Sequence, residues 1–211
     1  MTQIPIIDVL VVRAGPTGLT LACDLARRDV SCRIIDQEAT HHIGTRARAL
    51  SPRSQEILDD LDMLEQFFAH AEPHLPMRFY NRENQLIREV DSASHAVASS
   101  TPDAPYRGNL IISQQRTETL LREHLATSGL FVELSSRLVG YTQHREYVVA
   151  RIARAGMIED IQARYLVGCD GGASTVRKCA GISFLGETRE NEHLFLGSVN
   201  VSGLDPTARY L

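Results

Sequence analysis

The strongest constraint on the fold lies in residues 6–18, which read IIDVLVVRAGPTG. The segment begins as an apolar, largely β-branched run, and glycines follow at Gly15 and Gly18. A buried strand that passes through a glycine turn into a helix is how a dinucleotide-binding βαβ unit begins. The pattern for such a turn is G-x-G-x-x-G, and Arg13 stands at its first glycine position.

The residues after this turn continue the βαβ pattern. Apolar residues spaced three and four apart predict a helix from about Thr17 to Arg28, and residues 32–35 predict a second strand. Asp36 ends that strand, close to the spacing of about 20 residues at which a carboxylate accepts hydrogen bonds from a ribose. A solvated strand-end aspartate is the alternative for Asp36 alone, and the upstream glycine turn favours the ribose contact.

The composition is that of an ordinary globular protein. The chain has 211 residues, 43% of them apolar and 23% charged, with a net charge of -4. The acidic balance and scattered basic residues argue against a nucleic-acid surface. No apolar run reaches the roughly 20 residues of a membrane span and no signal-peptide pattern is present, so a cytoplasmic location is expected. The 4 cysteines lack C-x-x-C spacing, which predicts reduced thiols and neither a metal site nor disulfides.

A basic segment precedes the next predicted helix. Ser51 and Pro52 suit the N-cap and first position of that helix, and Arg46, Arg48 and Arg53 precede or open it. A guanidinium beside a nucleotide fold can clamp a pyrophosphate, because its fork matches phosphate oxygens. Simple solvation at the surface is the alternative for each arginine.

The middle of the chain departs from strict α/β alternation. Residues 77–80 and 85–90 flank a polar turn and predict a hairpin. A short strand at 110–112 and a helix that stops at Gly129 follow. Short strands at the edge of the nucleotide fold are then expected to form a meander, at residues 131–134, 137–142, 147–153 and 158–163, before a last strand at 165–167.

A second glycine turn follows in the segment GCDGGASTVRKCAGI. Asp170 leads this turn and Gly171 comes next. A carboxylate at such a corner can accept hydrogen bonds from sugar hydroxyls while the glycines let a ligand approach the backbone. A tight turn capped by the aspartate is the alternative.

Four separated motifs, taken in order, resemble one family. They are VLVVRAGPTGLTLACDLARR with RIIDQE, TRARALSPRSQEILDDLDML, ISQQRTETLL and YLVGCDGGASTVRKCAGISFLG. Their order and spacing resemble the N-terminal part of the FAD-dependent aromatic hydroxylases, flavin monooxygenases of the p-hydroxybenzoate hydroxylase type. The resemblance implies an α/β fold: a Rossmann-like FAD-binding domain, with a parallel sheet and β-meander, over residues 1–72 and 108–185. An incomplete antiparallel substrate-domain sheet would comprise residues 73–107 and 186–211.

The resemblance also implies cofactor contacts. Gly15 and Gly18 would lie against the FAD pyrophosphate, and Asp36 would hold the adenosine ribose. The remaining implied contacts are Arg46 near the pyrophosphate, Gln114 on FAD, and Asp170 with Gly171 as an Asp-Gly motif for FAD and NADPH. In that family NADPH reduces the flavin, which then activates oxygen to hydroxylate an aromatic substrate.

No residue is singled out as a catalytic acid or base. The polar candidates near the substrate region are His74, Tyr80, Tyr106 and Arg107, and a surface or structural role is the alternative for each.

Two features depart from the family pattern. Arg13 replaces a glycine, and it is expected either to crowd the turn or the pyrophosphate, or to swing out and pair with a phosphate. Backbone strain of roughly 1–3 kcal/mol is enough to weaken cofactor binding about tenfold or more. The segment LFLGSVNVSGLDP is expected to form one strand of the substrate sheet, and the family's later Gly-Asp motif has no counterpart.

Three functional interpretations follow. The first is an FAD-dependent monooxygenase acting on an aromatic or polyketide-like small molecule with NAD(P)H and O2, as a shortened enzyme or one piece of a split one. The second, which Arg13 favours, is a flavin-free descendant that binds a small molecule or assists an isomerisation or cyclisation. The third is an inactive fragment. An open edge on a partial sheet also predicts a homodimer or a partner chain that covers it.

Overall fold

The computed structural model describes residues 5–41, 49–72, 75–90, 101–103, 105–106, 108–186, 202–203 and 209–210. The chain divides into two compact units. The first unit comprises Met1–Gly44 and Thr117–Asn191, and the second comprises Thr45–Arg116 and Glu192–Leu211. Over the described ranges, no helix is long and apolar enough to cross a membrane.

The helices and strands follow the chain in this order. The helices are α1 (Pro16–Ala26), α2 (Pro52–Asp60), α3 (Leu64–His70), α4 (Gln114–Thr127) and α5 (Thr175–Cys179). The strands are β1 (Ile6–Val12), β2 (Cys32–Ile35), β3 (Ala49–Leu50), β4 (Met77–Tyr80), β5 (Leu86–Val90), β6 (Leu110–Ile111), β7 (Val132–Glu133), β8 (Ser136–Gln143), β9 (Val148–Arg154), β10 (Met157–Gly168) and β11 (Arg209–Tyr210).

The first unit is built on a six-stranded sheet with the order β7-β2-β1-β10-β9-β8. Strands β7, β2, β1 and β10 pair in parallel, as a βαβ unit requires. Strands β8, β9 and β10 pair antiparallel and form a meander at one side. The predicted α/β fold, a parallel sheet with a β-meander, is confirmed. The strand predicted at 131–134 is not part of the meander, because β7 pairs in parallel with β2 at the opposite edge of the sheet.

Strand β10 corrects one prediction. The sequence predicts separate strands at 158–163 and 165–167, whereas the structure has one strand whose first part pairs with β9 and whose second part pairs with β1. Arg164 breaks the apolar pattern, but its side chain is 66% exposed and lies 3.5 Å from the Asp8 carboxylate. A polar side chain on the exposed side of a strand leaves the backbone ladder intact, so the strand continues.

Strand β1 lies at the centre of this sheet and is buried on both faces. Val9 and Val11 alternate with Leu10 and Val12, and all four are buried. Leu10 and Val12 pack in a cluster with residues of β2 and the meander, namely Ile35, Leu138, Ala150, Ile152, Ile161 and Ala163. The predicted environment of the first strand is therefore confirmed, and its carboxyl end is fixed in place.

An ion-pair network ties β2 to its neighbours. Arg33 on β2 binds Glu133 through two hydrogen bonds, Nε to Oε1 at 2.6 Å and Nη2 to Oε2 at 2.7 Å. Its Nη1 also lies 2.8 Å from Oε1 of Glu159 on β10, and Arg154 Nη1 lies 3.4 Å from Glu133 Oε2. The hydrogen bond from Arg33 lowers the pKa of Glu159.

The second unit contains the predicted hairpin and helix cap. Strands β4 and β5 pair antiparallel, and β11 adds in parallel to β4. Ser51 caps α2, because its Oγ accepts a hydrogen bond from the Ser54 N–H at 3.2 Å, and Pro52 opens the helix as predicted. The buried Gln55 amide donates to the Gly108 carbonyl at 2.6 Å. The predicted strand LFLGSVNVSGLDP lies almost wholly outside the described residues.

We expect the Glu159 contact to stabilise the fold at neutral pH and not in acid. A carboxylate whose pKa is lowered by folding stabilises the fold above its unfolded-state pKa, and this stabilisation is lost as the pH falls through the folded-state pKa. Because Glu159 is half exposed, Glu159→Gln should reduce the free energy of unfolding by about 0.5 kcal/mol at about pH 7 and by much less at about pH 3.

Urea denaturation at the two pH values measures this difference. Glu146→Gln is the matched control, because Glu146 and its partner Arg145 are 79% and 95% exposed. An equal loss for Glu159→Gln at both pH values would contradict the assignment.

Candidate functional site

A cavity of about 80 Å³ opens where strands β1 and β2 end, within the first unit. We call it the strand-end cavity. Its charged lining residues are Arg13, Asp36, Arg137 and Asp170. Ligands of α/β sheets bind outside the carboxyl ends of the strands, so this is where a nucleotide site is expected.

The glycine turn beside this cavity places a helix start against a strand end. Gly15 is the N-cap of α1, with no side-chain capping hydrogen bond, and a Cβ built there meets nothing within 4 Å. A Cβ at Gly18 would lie 2.0 Å from the Arg13 carbonyl oxygen. Gly18 is therefore required for close packing of helix on strand, and Gly15 leaves open space at a helix N-terminus, where anions bind.

Arg13 adopts the backbone conformation that a glycine would take. Its φ is 85°, in the left-handed region, and its N–H donates to the Ile35 carbonyl at 2.8 Å. The turn therefore forms with Arg13 in place, at a conformational cost of about 1–2 kcal/mol. The cost of a side chain at this position is therefore an unfavourable backbone φ.

Asp36 is buried and holds the turn together. It is 8% exposed, its Oδ2 accepts from the Ala14 N–H at 2.9 Å, and its Oδ1 accepts from the Glu38 N–H at 3.0 Å. The carboxylate thus joins the end of β2 to the turn after β1. Each oxygen keeps a further lone pair for a ligand hydroxyl.

Asp170 organises the second glycine turn. Its Oδ1 accepts from the Ser174 hydroxyl at 2.6 Å, and its Oδ2 accepts from the Thr175 N–H at 2.6 Å. Gly171 has a φ of 70°, which a side chain would disfavour. The capping alternative therefore describes the local structure, and Asp170 also lines the strand-end cavity.

Arg177 supports this turn from α5, whose N-cap is Ser174 and whose first two amides donate to Asp170. Its Nη1 donates to the Gly172 carbonyl at 2.8 Å, and its guanidinium carbon lies 4.6 Å from the centre of the Phe184 ring. These contacts fix the loop from its outer side.

The structure brings together only some of the residues predicted from sequence. Arg13, Asp36 and Asp170 line one cavity of the first unit. Gln114 is the first residue of α4. Arg46 lies outside the described residues, as do Arg48, His74 and Arg107. Sequence reasoning missed Arg137, since a single arginine in a short strand carries no motif.

The other candidate groups that the structure describes are Tyr80, Tyr106 and the cysteines. Tyr106 has its pKa raised by partial desolvation and by a hydrogen bond to Asp59, so it is a neutral phenol at physiological pH. All 4 cysteines are free, and burial raises the pKa of Cys23 to about 12. Tyr80 lies in β4.

Comparison with known proteins gives a consistent result. The family model described as "FAD binding domain" matches residues 6–209. A flavin-dependent monooxygenase of Mycobacteroides abscessus is 39% identical, over 93% of this chain and 42% of its own length. The 6-methylpretetramide 4-monooxygenase of Streptomyces rimosus is 34% identical, over 87% of this chain and 32% of its own length.

Solved structures agree with these sequence matches. The p-nitrophenol 4-monooxygenase of Pseudomonas putida superposes with a TM-score of 0.76 at 26% identity, over 86% of this chain and 45% of its own. Aklavinone-11 hydroxylase in complex with FAD and aklavinone gives 0.74 at 27% identity, over 86% of this chain and 36% of its own. The chain spans less than half the length of the curated relatives named here.

Gly18→Ala should destabilise the first unit strongly. The new Cβ would lie 2.0 Å from the Arg13 carbonyl oxygen, so the helix must move away from the strand. We expect a loss of about 2–3 kcal/mol in the free energy of unfolding, measured by urea denaturation. Gly140→Ala is the control, since a Cβ there meets nothing within 4 Å, and it should change stability by less than about 0.5 kcal/mol. Equal effects would refute the close-packing role.

Arg13→Gly should stabilise the protein. Glycine relieves the left-handed strain of about 1–2 kcal/mol, and part of that gain is offset by the entropy of glycine in the unfolded chain. We expect a net gain of about 0.5–1 kcal/mol in thermal or urea unfolding. Arg13→Gln keeps the strain and should show no gain, so a gain in both variants would contradict this explanation.

Proposed function

Because the chain belongs to the FAD binding domain family, we propose that it supplies the FAD-binding part of a flavin-dependent monooxygenase. This enzyme would hydroxylate an aromatic or polyketide-like small molecule with NAD(P)H and O2. The observation that carries the proposal is the strand-end cavity, where the turn after β1 meets Asp36 and Asp170 beside the start of α1.

We propose that the FAD pyrophosphate binds at the N-terminus of α1. The open space at Gly15 and the uncapped N-terminus of the 11-residue helix α1 suit an anion. Gly18 lets the helix start lie against the strand end, so the amides at that start can approach the phosphates. The fit therefore rests on backbone groups more than on side chains.

Asp36 is proposed to hold the adenosine ribose. Its carboxylate is buried at the edge of the cavity, and its two amide hydrogen bonds fix its orientation before any ligand binds. A pre-oriented charged acceptor binds a hydroxyl more strongly than a mobile neutral one. Asp170 and Gly171 are proposed to line the adjoining part of the site, with Arg46 and Gln114 as further FAD contacts.

Bound FAD, reduced by NAD(P)H, supplies the oxygen chemistry. This chain's residues bind and orient the cofactor, and none of them is assigned as a catalytic acid or base. The names of the relatives support an aromatic or polyketide-like substrate, since one acts on 6-methylpretetramide and one was solved with aklavinone.

A flavin-free descendant is the second candidate function, as a small-molecule binder or an isomerase-like or cyclase-like protein. The specific observation in its favour is Arg13, which lines the same cavity at a position where the nucleotide-binding pattern has a glycine. The visible spectrum of the purified protein separates the two candidates. Flavin absorbance, or its appearance on adding FAD, supports the first, and protein that binds no FAD supports the second.

We also propose a homodimer, or a partner chain, on the edge of the three-stranded sheet, and a cytoplasmic location. Strand β5 is at that edge in the described residues, with Leu86 and Ile87 exposed by 52% and 67%. A monodisperse monomer in sedimentation at working concentration would contradict the association.

Asp36→Asn should weaken FAD binding about tenfold, because one charge-assisted acceptor becomes neutral. Titration of the protein with FAD, followed by flavin fluorescence, measures the change. Asp160→Asn is the control, since Asp160 pairs with Arg151 outside the cavity and its loss removes the same charge. Thermal unfolding checks that both variants are folded, and unchanged FAD affinity in folded Asp36→Asn would remove the ribose role.

A further inference from the structure

We propose that Arg13 is a specificity-determining residue that makes the strand-end cavity select ligands carrying a pyrophosphate over neutral nucleosides. The proposal rests on the FAD-binding function above. It identifies the Arg13 guanidinium as the group that interacts with the negative charge of the cofactor. The ligand class is a nucleoside diphosphate moiety, whether free or as half of a dinucleotide.

The position of Arg13 is fixed by its backbone. The N–H donates to Ile35, and the carbonyl oxygen lies where a Cβ on Gly18 would have to be. The Arg13 backbone is therefore anchored to β2 at the end of β1, and Arg13 is one of the residues that line the cavity. Because the backbone is ordered before a ligand binds, only the side chain loses conformational freedom when it contacts a ligand.

The carboxylates of the cavity are already engaged by donors of their own turns. Asp36 accepts from the amides of Ala14 and Glu38, and Asp170 accepts from Ser174 and Thr175. Over the part of the chain that the structure describes, the Arg13 guanidinium forms no ion pair or hydrogen bond. Among those residues, no acceptor competes with an incoming anion for its donors.

The two arginines and two aspartates that line the cavity balance in formal charge, and the helix start next to Arg13 adds a second group that suits an anion. Helix α1 has no acidic residue in its first turn and no side-chain cap. A guanidinium fork beside free helix amides matches the oxygens of a phosphate, whereas a neutral ribose or adenine gains nothing from the charge. A left-handed φ of 85° at a non-glycine residue is also the kind of backbone strain that accompanies functional sites.

Calorimetric titration with ADP and with adenosine tests the proposal without any flavin chemistry. We expect the unaltered protein to bind ADP at least about tenfold more tightly than adenosine, a preference that shrinks as salt rises. Arg13→Gln should bring the two affinities to within about threefold by weakening ADP alone, and Arg13→Lys should restore part of the preference. Arg145→Gln, an equal charge change at a residue 95% exposed, should leave the preference unchanged.

The outcomes separate this inference from the proposed function. If Arg13→Gln binds ADP as tightly as the unaltered protein or more tightly, Arg13 is neutral or obstructive and the inference is overturned, while FAD binding by the unaltered protein still supports the cofactor assignment. If the unaltered protein binds neither ADP nor FAD, both proposals fail. Thermal unfolding of each variant confirms that a lost preference does not reflect a lost fold.

Discussion

The hydrogen bond from the Ala14 N–H to the Asp36 carboxylate is the interaction on which the site depends. It is buried, 2.9 Å long, and joins the turn after β1 to the end of β2 across 22 positions of sequence. The second carboxylate oxygen accepts from Glu38, so the chain leaving β2 is fixed by the same group. A buried charged acceptor with two amide donors is costly to disrupt, because the donors would lose their partner away from water. The local geometry of the candidate site is thus set before any ligand arrives.

The glycine turn beside this hydrogen bond shows which glycine positions of the G-x-G-x-x-G pattern are required by packing. Gly18 is needed because the Arg13 carbonyl occupies the place of its Cβ, whereas Gly15 stands beside open space. At the first glycine position only the left-handed backbone is needed, and Arg13 supplies it at an energetic cost. The fold therefore tolerates a substitution that a motif search would penalise. The same substitution adds a cationic residue to the lining of the strand-end cavity, where we propose that it affects ligand choice.

Much of the fold followed from local pattern, and the exceptions have a common cause. The strand at Ile6–Val12, the Ser51 cap and the meander were predictable, because burial periodicity and capping chemistry are local signals. Two features could not be predicted from local pattern: β10 continues through Arg164, and Arg137 lines the cavity. Both depend on neighbouring strands that are distant in sequence. For Asp36 the spacing indicated a ligand contact and gave no sign of its structural hydrogen bonds. For Asp170 the sequence predicted a ligand contact or a capping role, and the structure shows the capping hydrogen bonds.

Amide chemical shifts of isotope-labelled protein, recorded as ADP is added, test most directly whether the strand-end cavity is a nucleotide site. If it is, the largest changes will fall on the amides of Ala14, Gly15, Gly18 and Glu38, with smaller ones at Thr175. The first four amides report the turn after β1 and the Asp36 carboxylate, and Thr175 reports the second glycine turn. Changes confined to other surfaces, such as the β8–β9 hairpin around His144 and Tyr147, or no change at saturating ADP, would contradict the assignment of this cavity.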